Sequence, residues 1–343
     1  MSGNGETAAR TLEDLASLAG VSRATVSRVI NGGPVAESTR NHVLSVLERT
    51  NYRPNLAARS LATGKTGVVG VAIHEPASVV FSDAYFSALL QGITETLSEE
   101  AVGLMLWMTH GSKQETLEQV LATRFVDGVI CTATLLNDPL VDGLLVADIP
   151  AVLLGHRRHD AAASYVDIDN VASAEDMVDH LIGIGRTRIG HITGARGTVS
   201  GEDRLTGYLQ ALDRAGIAER FVVDGDFNEA SGYEGARQLL DENVDAIFAG
   251  SDAMALGVYR AADERGVNIP VDVAVGGFDD LPFAAELAPP LTTVRQNVPA
   301  QGAAAARSIL KIIDRSPAAP TRVIMPTELV IRRSTAGGIA NSQ

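Results

Sequence analysis

At 343 residues, with 45% hydrophobic residues and a formal net charge of −14, the chain has room for a small domain and two larger lobes. An acidic balance ordinarily argues against nucleic acid, but residues 1–65 hold eight Lys or Arg against five Asp or Glu, a net of +3, leaving about −17 for the rest. The single cysteine, Cys131, excludes an internal disulfide, MSGNGETAAR has no apolar signal core, and no apolar run approaches the roughly 18 residues that span a bilayer. A cytoplasmic protein is therefore expected.

Thr11 to Asn31 reads TLEDLASLAGVSRATVSRVIN. Thr11 caps a first helix, with Asp14 favouring its N-terminus and Leu12, Leu15 and Leu18 forming an apolar face at i, i+3, i+6. After Ala19-Gly20-Val21, Ser22 caps a second helix whose Val26, Val29 and Ile30 supply the facing stripe. The opposite face carries Arg23, Ala24, Thr25, Ser27, Arg28 and Asn31. These types read base edges in a major groove: Arg forks onto guanine, Asn reaches adenine, and the methyls of Thr or Ala touch thymine. Helical hairpins also serve as mere packing elements, and the hairpin alone leaves that alternative open. Glu37 to Tyr52 predicts a third helix with Val43, Leu44, Val46 and Leu47 turned inward, which completes a helix-turn-helix domain over residues 1–52. A helix must stop before Pro54, and the few residues after it are too short to stay helical alone, so residues 53–66 read as a hinge and linker that order on a partner.

The run SRATVSRVIN, then STR, then NYRPNLAARSL resembles the lactose-repressor (LacI/GalR) family of bacterial transcriptional regulators. The resemblance implies that Asn55 to Leu61 is a hinge helix formed on operator DNA, adding Asn55, Ala58 and Leu61 to the DNA-binding set. Leu61 from each of two subunits would be wedged into the minor groove, against the plain alternative of a linker leucine. Ala36 stands where the family usually has a helix-capping Ser, so entry to the third helix is expected to be weaker.

From Gly67 onward short apolar runs alternate with helical stretches. VVGVAI (68–73), VGLMLWM (102–108), DGVICT (127–132) and PAVLLG (150–155) are separated by helices such as Tyr85 to Glu99 and Lys113 to Arg124. A second series follows: RIGHITG (188–194), RFVVDGDF (220–227), VDAIFAG (244–250) and VAVGGFD (273–279). The fold class is an N-terminal all-α helix-turn-helix domain followed by an α/β body of two doubly wound lobes, periplasmic-binding-protein-like. By resemblance the chain crosses between lobes near Tyr165, Thr293 and Pro326. The first lobe then spans 67–165 with 293–326, including a returning helix from Pro299 to Asp314, and the second spans 166–292 with 327–343.

Ligands of open α/β sheets bind beyond the carboxyl ends of the strands. That places His74, Trp107, His110, His156 and Arg157 in the first lobe, with Tyr85 and Phe86 on its first helix, and Arg204, Phe227, Ser251, Asp252 and Asp279 in the second. The effector-binding set is His74, Tyr85, Phe86, Trp107, Arg157, Arg204, Phe227, Ser251 and Asp279. The resemblance implies that Arg204 matches the family's RxxGY arginine, Asp279 the aspartate of its G(F/Y)D motif, and Phe227 the aromatic that packs on the effector. Arg204 could instead pair with Asp203 or Glu202, and Asp279 or Asp252 could merely cap a turn. Several sugar-binding members carry Asn where Ser251 stands. The residue types suit a polyhydroxylated, sugar-like effector, with a nucleobase or a phosphorylated metabolite as alternatives.

His156 and His159 lie in a loop without supporting ligands, and Gly183-x-Gly185 precedes a strand where a dinucleotide turn would follow one, so Gly185 reads as a helix C-cap. No GxSxG elbow, Walker loop or zinc-finger spacing occurs. No metal, cofactor or catalysis is expected. A ligand-dependent homodimeric repressor on a near-palindromic DNA operator is the leading reading, ahead of a transport or chemoreceptor binding protein and of an enzyme. Beyond Arg333 only STAGGIANSQ follows, too leucine-poor for a heptad-bearing tetramerization helix.

Overall fold

The Asp14 N–H donates to the Thr11 hydroxyl at 3.1 Å while the Thr11 N–H donates to the Asp14 carboxylate at 3.0 Å, and this reciprocal cap starts α1 (Leu12–Ala19). The computed structural model describes residues 11–30, 33–52, 64–108, 112–123, 125–156, 163–314 and 320–336. The chain divides into two units, Met1–Thr66 and Gly67–Gln343.

In the first unit Gly20 closes α1 at φ +61°, a left-handed turn that a side chain would strain. The Ser22 hydroxyl accepts from the Thr25 N–H at 3.1 Å and opens α2 (Arg23–Ile30). α3 (Glu37–Thr50) begins at Ala36 with no side-chain cap. The core is Leu15, Ala16, Ala19, Val26, Val29, Val43 and Val46. Two expected core residues are corrected: Leu18 is 52% and Leu44 43% exposed. At 100° per residue a position six after Leu12 has rotated off the stripe, whereas Ala16 and Ala19 stay beside Leu15.

The second unit opens with β1 (Val68–Ile73), α4 (Ala77–Ser82), α5 (Ala84–Glu99), β2 (Gly103–Met108), α6 (Lys113–Thr123), β3 (Gly128–Cys131), α7 (Pro139–Val146), β4 (Ala151–Leu154) and β5 (Ser164–Ile168). It continues with α8 (Asn170–Gly183), β6 (Ile189–Ile192), α9 (Val199–Arg214), β7 (Phe221–Val223), α10 (Glu229–Asp241), β8 (Ala246–Ala249), α11 (Asp252–Glu264) and β9 (Ala274–Asp279). β10 (Thr292–Gln296), α12 (Val298–Asp314), β11 (Arg322–Met325) and β12 (Thr327–Val330) complete it.

Two six-stranded sheets result, ordered β11-β5-β4-β3-β1-β2 and β12-β10-β9-β8-β6-β7. All pairings are parallel except β10 with β12. Helices cover both faces of each sheet, so the central strands are continuous apolar runs. On the first sheet Leu89 and Ile93 of α5 and Ile309 of α12 pack over Val69 and Val71, while Leu117 of α6 and Leu144 of α7 pack over Val129 and Leu153. On the second, Met177 and Leu181 of α8 and Tyr208 of α9 cover one face, and Leu239 of α10 and Val258 of α11 the other.

The chain passes between lobes at Asp169, Asn297 and Pro326. The first two crossings fall a few residues later than expected, because β5 stays paired with β11 through Ile168 and β10 stays paired with β12 through Gln296. A strand cannot leave its sheet until its ladder ends.

The lobes also meet through main-chain atoms. Leu136 N–H donates to the Gly197 carbonyl at 3.0 Å, and Val199 N–H to the Thr134 carbonyl at 3.1 Å. The loop that makes this contact is braced from below: buried Lys113 Nζ lies 2.5 Å from Asp138 Oδ2 and donates to the Ala133 carbonyl at 3.0 Å. Asp138 also accepts from the N–H groups of Leu135 and Leu140. These bonds hold Ala133 at φ +51°, a conformation unfavourable for a residue with a Cβ.

Candidate functional site

In the first unit α2 turns Val26 and Val29 inward, which leaves Arg23, Ala24 and Arg28 exposed and Thr25 and Ser27 half-buried on the outer face. Arg23 Nε rests 3.0 Å from Glu13 of α1, an exposed pair. Asn31, Asn55, Ala58 and Leu61 lie outside the described residues.

In the second unit the carboxyl ends of both sheets open onto a cavity of about 440 Å³. His74 reaches it directly past β1, and Tyr85 and Phe86 from the first turn of α5, where Asp83 caps the helix by accepting from the Tyr85 N–H. From the other lobe come Arg204 on α9, Phe227 past β7, Ser251 capping α11, and Asp279 ending β9. Phe227 fits because Gly194 opposite it has no side chain; a Cβ there would stand 1.9 Å from the ring.

Trp107 is corrected. It does not line the cavity: β2 is an edge strand, and Trp107 lies one residue before its end, on the sheet face, where its ring covers Gly70 and joins the Leu117 cluster. Arg157 lies outside the described residues.

The side chains at the back of the cavity form a continuous polar chain. Gln301 of α12 donates to Gln296 at 2.8 Å, and Gln296 donates to Asp279 at 2.5 Å. Arg204 Nη1 lies 3.9 Å from Asp279, Arg204 Nε donates to Asn170 at 3.0 Å, and Asn170 donates to Asp167 at 3.2 Å. Asp167 in turn accepts from His156 Nδ1 at 2.6 Å. The chain crosses the hinge twice, since Asp167 and Asn170 flank one crossing and Gln296 and Gln301 another. Asp167, Asn170, Gln296 and Gln301 were not singled out from the sequence. Their one signal there is position, next to the places where the chain changes lobe.

Arg204 is also fixed by the Gly250 carbonyl at 2.6 Å and lies 3.6 Å above the Phe278 ring, a desolvated cation–π contact. Burial lowers its pKa from the ordinary value, opposed by Asp279. Burial pushes the Asp279 carboxyl up to about 7 against the pull of Arg204 and the Gln296 hydrogen bond. Asp252, buried behind it, is held well above the carboxylate range by burial and by Asp279, although it accepts from Thr293 at 2.6 Å and from the Leu281 N–H at 2.8 Å. Donors, acceptors and aromatic faces therefore converge on one enclosed space, the arrangement that binds a compact polar ligand.

Comparison with known proteins follows the same division. The family described as bacterial regulatory proteins, lacI family, matches residues 11–55, and the periplasmic binding protein-like domain matches residues 178–335. The HTH-type transcriptional regulator CelR of Thermobifida fusca is 38% identical over 332 residues, covering 94% of this chain and 98% of that protein. The chain belongs to the LacI family. It is a DNA-binding transcriptional regulator, as its relatives are. Among solved structures, the CelR–cellobiose complex superposes with a TM-score of 0.75 at 35% identity, covering 95% of this chain and 100% of the other. The lac repressor dimer bound to operator and the anti-inducer ONPF superposes at 0.82 with 27% identity, over 95% and 98% of the two chains. Among the described residues no helix is long and apolar enough to cross a membrane and no His/Cys/Asp/Glu cluster could hold a metal ion.

Proposed function

We propose that this LacI-family member is a cytoplasmic, homodimeric repressor without enzymatic activity, whose grip on a near-palindromic operator is set by a sugar-like effector held between its lobes. The observation that supports it is the cavity itself: Arg204 and Asp279 offer a fixed donor and acceptor for neighbouring hydroxyls while Phe227, Tyr85 and Phe86 present aromatic surface to C–H groups. His74 and Ser251 add polar edges.

Arg23, Ala24, Thr25, Ser27, Arg28 and Asn31 read the major groove, while Asn55, Ala58 and Leu61, from the hinge of each subunit, occupy the minor groove between half-sites. The hinge spans 53–66, between the DNA-binding domain and the lobes. The effector works by linkage: a ligand that favours one lobe arrangement changes how the paired first lobes present the hinges, so ligand and operator affinities shift reciprocally. Because the CelR structure contains cellobiose, that disaccharide is the first candidate to try.

The test is a gel-shift titration on a promoter fragment with and without a panel of sugars, run beside a thermal-shift screen of the same panel. A sugar that raises the melting temperature and moves operator affinity in either direction is the expected result. Turnover of a bound sugar, or operator binding that no sugar alters, overturns it.

A further inference from the structure

We infer that Asp280, which does not line the cavity, is a positioning residue for Asp279: gripped by Arg295 and Arg332, it fixes the turn that aims the Asp279 carboxyl at the effector. The inference rests on the effector reading above, in which Asp279 accepts from a bound sugar, and adds what holds that acceptor in place.

β9 ends in Asp279 at φ +119°, and Asp280 follows at φ +57°. Two successive residues with a Cβ therefore stand in backbone conformations that favour glycine, and such a pair persists only where its surroundings over-determine it. Two sets of contacts do so. Through the main chain, the Leu281 N–H donates to Asp252 at 2.8 Å, and the Asp280 N–H to the Thr293 hydroxyl at 3.4 Å, which itself donates to Asp252 at 2.6 Å. Through the side chain, Asp280 Oδ2 accepts from Arg295 Nε and Oδ1 from Arg332 Nη2, both at 2.6 Å.

The two arms of this clamp differ. The Arg332 side chain, two residues past β12, is 18% exposed. It is itself anchored, because its Nη1 donates to the Leu291 carbonyl and its N–H to the Thr292 hydroxyl, each at 2.8 Å. Arg295, on β10, is 46% exposed and shared with Glu328 at 2.7 Å. Charge-assisted bonds to a carboxylate only 8% exposed are the strong kind, whereas an exposed arm contributes little, so Arg332 is the arm that matters more. Asp279 feels the clamp because it shares a peptide bond with Asp280. Its carboxyl meets Gln296 and stands 3.9 Å from Arg204, and a hydrogen bond weakens steeply once its angle is lost. A released turn leaves that carboxyl in the cavity but out of line with a hydroxyl.

The experiment is calorimetric titration of the full-length protein with cellobiose, maltose and lactose, with operator affinity in the absence of sugar as the check on folding. Asp280→Asn keeps a residue that tolerates left-handed backbone and removes the charge that both arginines grip. It should weaken sugar binding about tenfold, and the loss should disappear in the Asp279→Asn background, where the carboxylate being aimed is already gone. Arg332→Gln should cost about as much, Arg332→Lys should recover most of it by keeping the charge, and Arg295→Gln should cost about twofold. If Asp280→Asn loses operator binding, the Arg295→Gln loss and its disappearance beside Asp279→Asn decide in its place. Asp280→Asn that binds sugar as the wild type does, or a loss of equal size with and without Asp279→Asn, overturns the positioning role and leaves the effector reading standing. Asp279→Asn that binds as tightly as the wild type removes the acceptor and the positioning role together. If none of the three sugars binds the wild type while the operator is held, the effector reading falls and this one with it.

Discussion

Arg204 Nη1 and Asp279 Oδ1 face each other across 3.9 Å in the cleft wall, each side chain only 6% exposed. Each has a closer partner elsewhere, Asn170 and Gly250 for the arginine and Gln296 for the aspartate, so the pair is a poised donor and acceptor side by side on the cavity wall. Arg204→Met removes the donor to both Asn170 and Gly250 and leaves Asp279 without its cation. Breaking a buried pair from one side costs about 3 kcal/mol, partly offset if Asp279 takes up a proton. A lower melting temperature and no sugar-induced shift are expected in a thermal-shift assay.

The Asp279 carboxyl titrates near 7 in the folded chain, above its ordinary value. Its contribution to stability is thus full below the unfolded carboxylate pKa and is lost as pH rises through about 7. Effector hydroxyls that donate to it favour the ionised form, which reverses the sign for binding. Affinity should weaken as pH falls below about 7, approaching tenfold per unit. Calorimetry in buffers of different ionisation enthalpy should detect proton release on binding. Asp279→Asn should bind more weakly and show neither the slope nor the released proton.

His191 is stacked between Tyr208 and Phe248 at centroid distances of 5.1 and 4.7 Å, with Nδ1 bonded to the Phe248 carbonyl and Nε2 buried without a hydrogen-bond partner. Burial holds its pKa down at about 4. The unfolded chain takes up a proton near pH 6.5 and the folded chain does not, so stability present above 6.5 is lost as pH falls toward 4, by as much as about 3 kcal/mol. His191→Gln should flatten that stretch of the acid denaturation curve, followed by tryptophan fluorescence and circular dichroism.

On α2, Arg28→Ala should weaken operator binding by about 1–3 kcal/mol in fluorescence anisotropy and relax specificity at one base position if the arginine forks onto guanine, or uniformly with a shallower salt slope if it meets phosphate. Arg23 is held at 3.0 Å by Glu13 and must leave it to reach a base. Glu13→Gln should therefore tighten operator binding, and the gain should disappear in the Arg23→Ala background.

Val199 is the first residue of α9, where proline is tolerated, and Thr198 before it is already extended at ψ 146°. Val199→Pro deletes the N–H that reaches the Thr134 carbonyl while leaving the helix intact. Weaker effector binding with unchanged helicity by circular dichroism is the expected outcome; helicity lost along with binding would point to misfolding instead.

Much of the fold was legible because parallel strands buried on both faces write themselves as short apolar runs, VVGVAI and AVGGFD among them. The cavity residues at or just past strand ends, Asp279 at one and His74 and Phe227 past theirs, were legible for the same reason. Trp107 was misplaced because strand alternation, which is local, decides its face, and not every residue at a strand tip faces the cavity. Of the polar chain from His156 to Gln301, His156, Arg204 and Asp279 were legible as cleft residues, but the chain that joins them was not. Its members come from separate elements, and nothing in the spacing of Asp167, Asn170, Gln296 and Gln301 reveals that the topology brings them together. Leu18 and Leu44 show the limit of hydrophobicity alone, since helical phase left both exposed.

The bridge between Thr134, Leu136, Gly197 and Val199 is written in peptide groups, which every amino acid except proline supplies in full. Its donors and acceptors are therefore independent of side-chain identity, while Lys113 and Asp138 set the loop that presents them. Cavity-facing side chains, those of Thr134 and Val199 included, can be exchanged to recognise a different molecule while the peptide groups that register one lobe against the other stay in place, so a new chemical taste does not require a new mechanical habit.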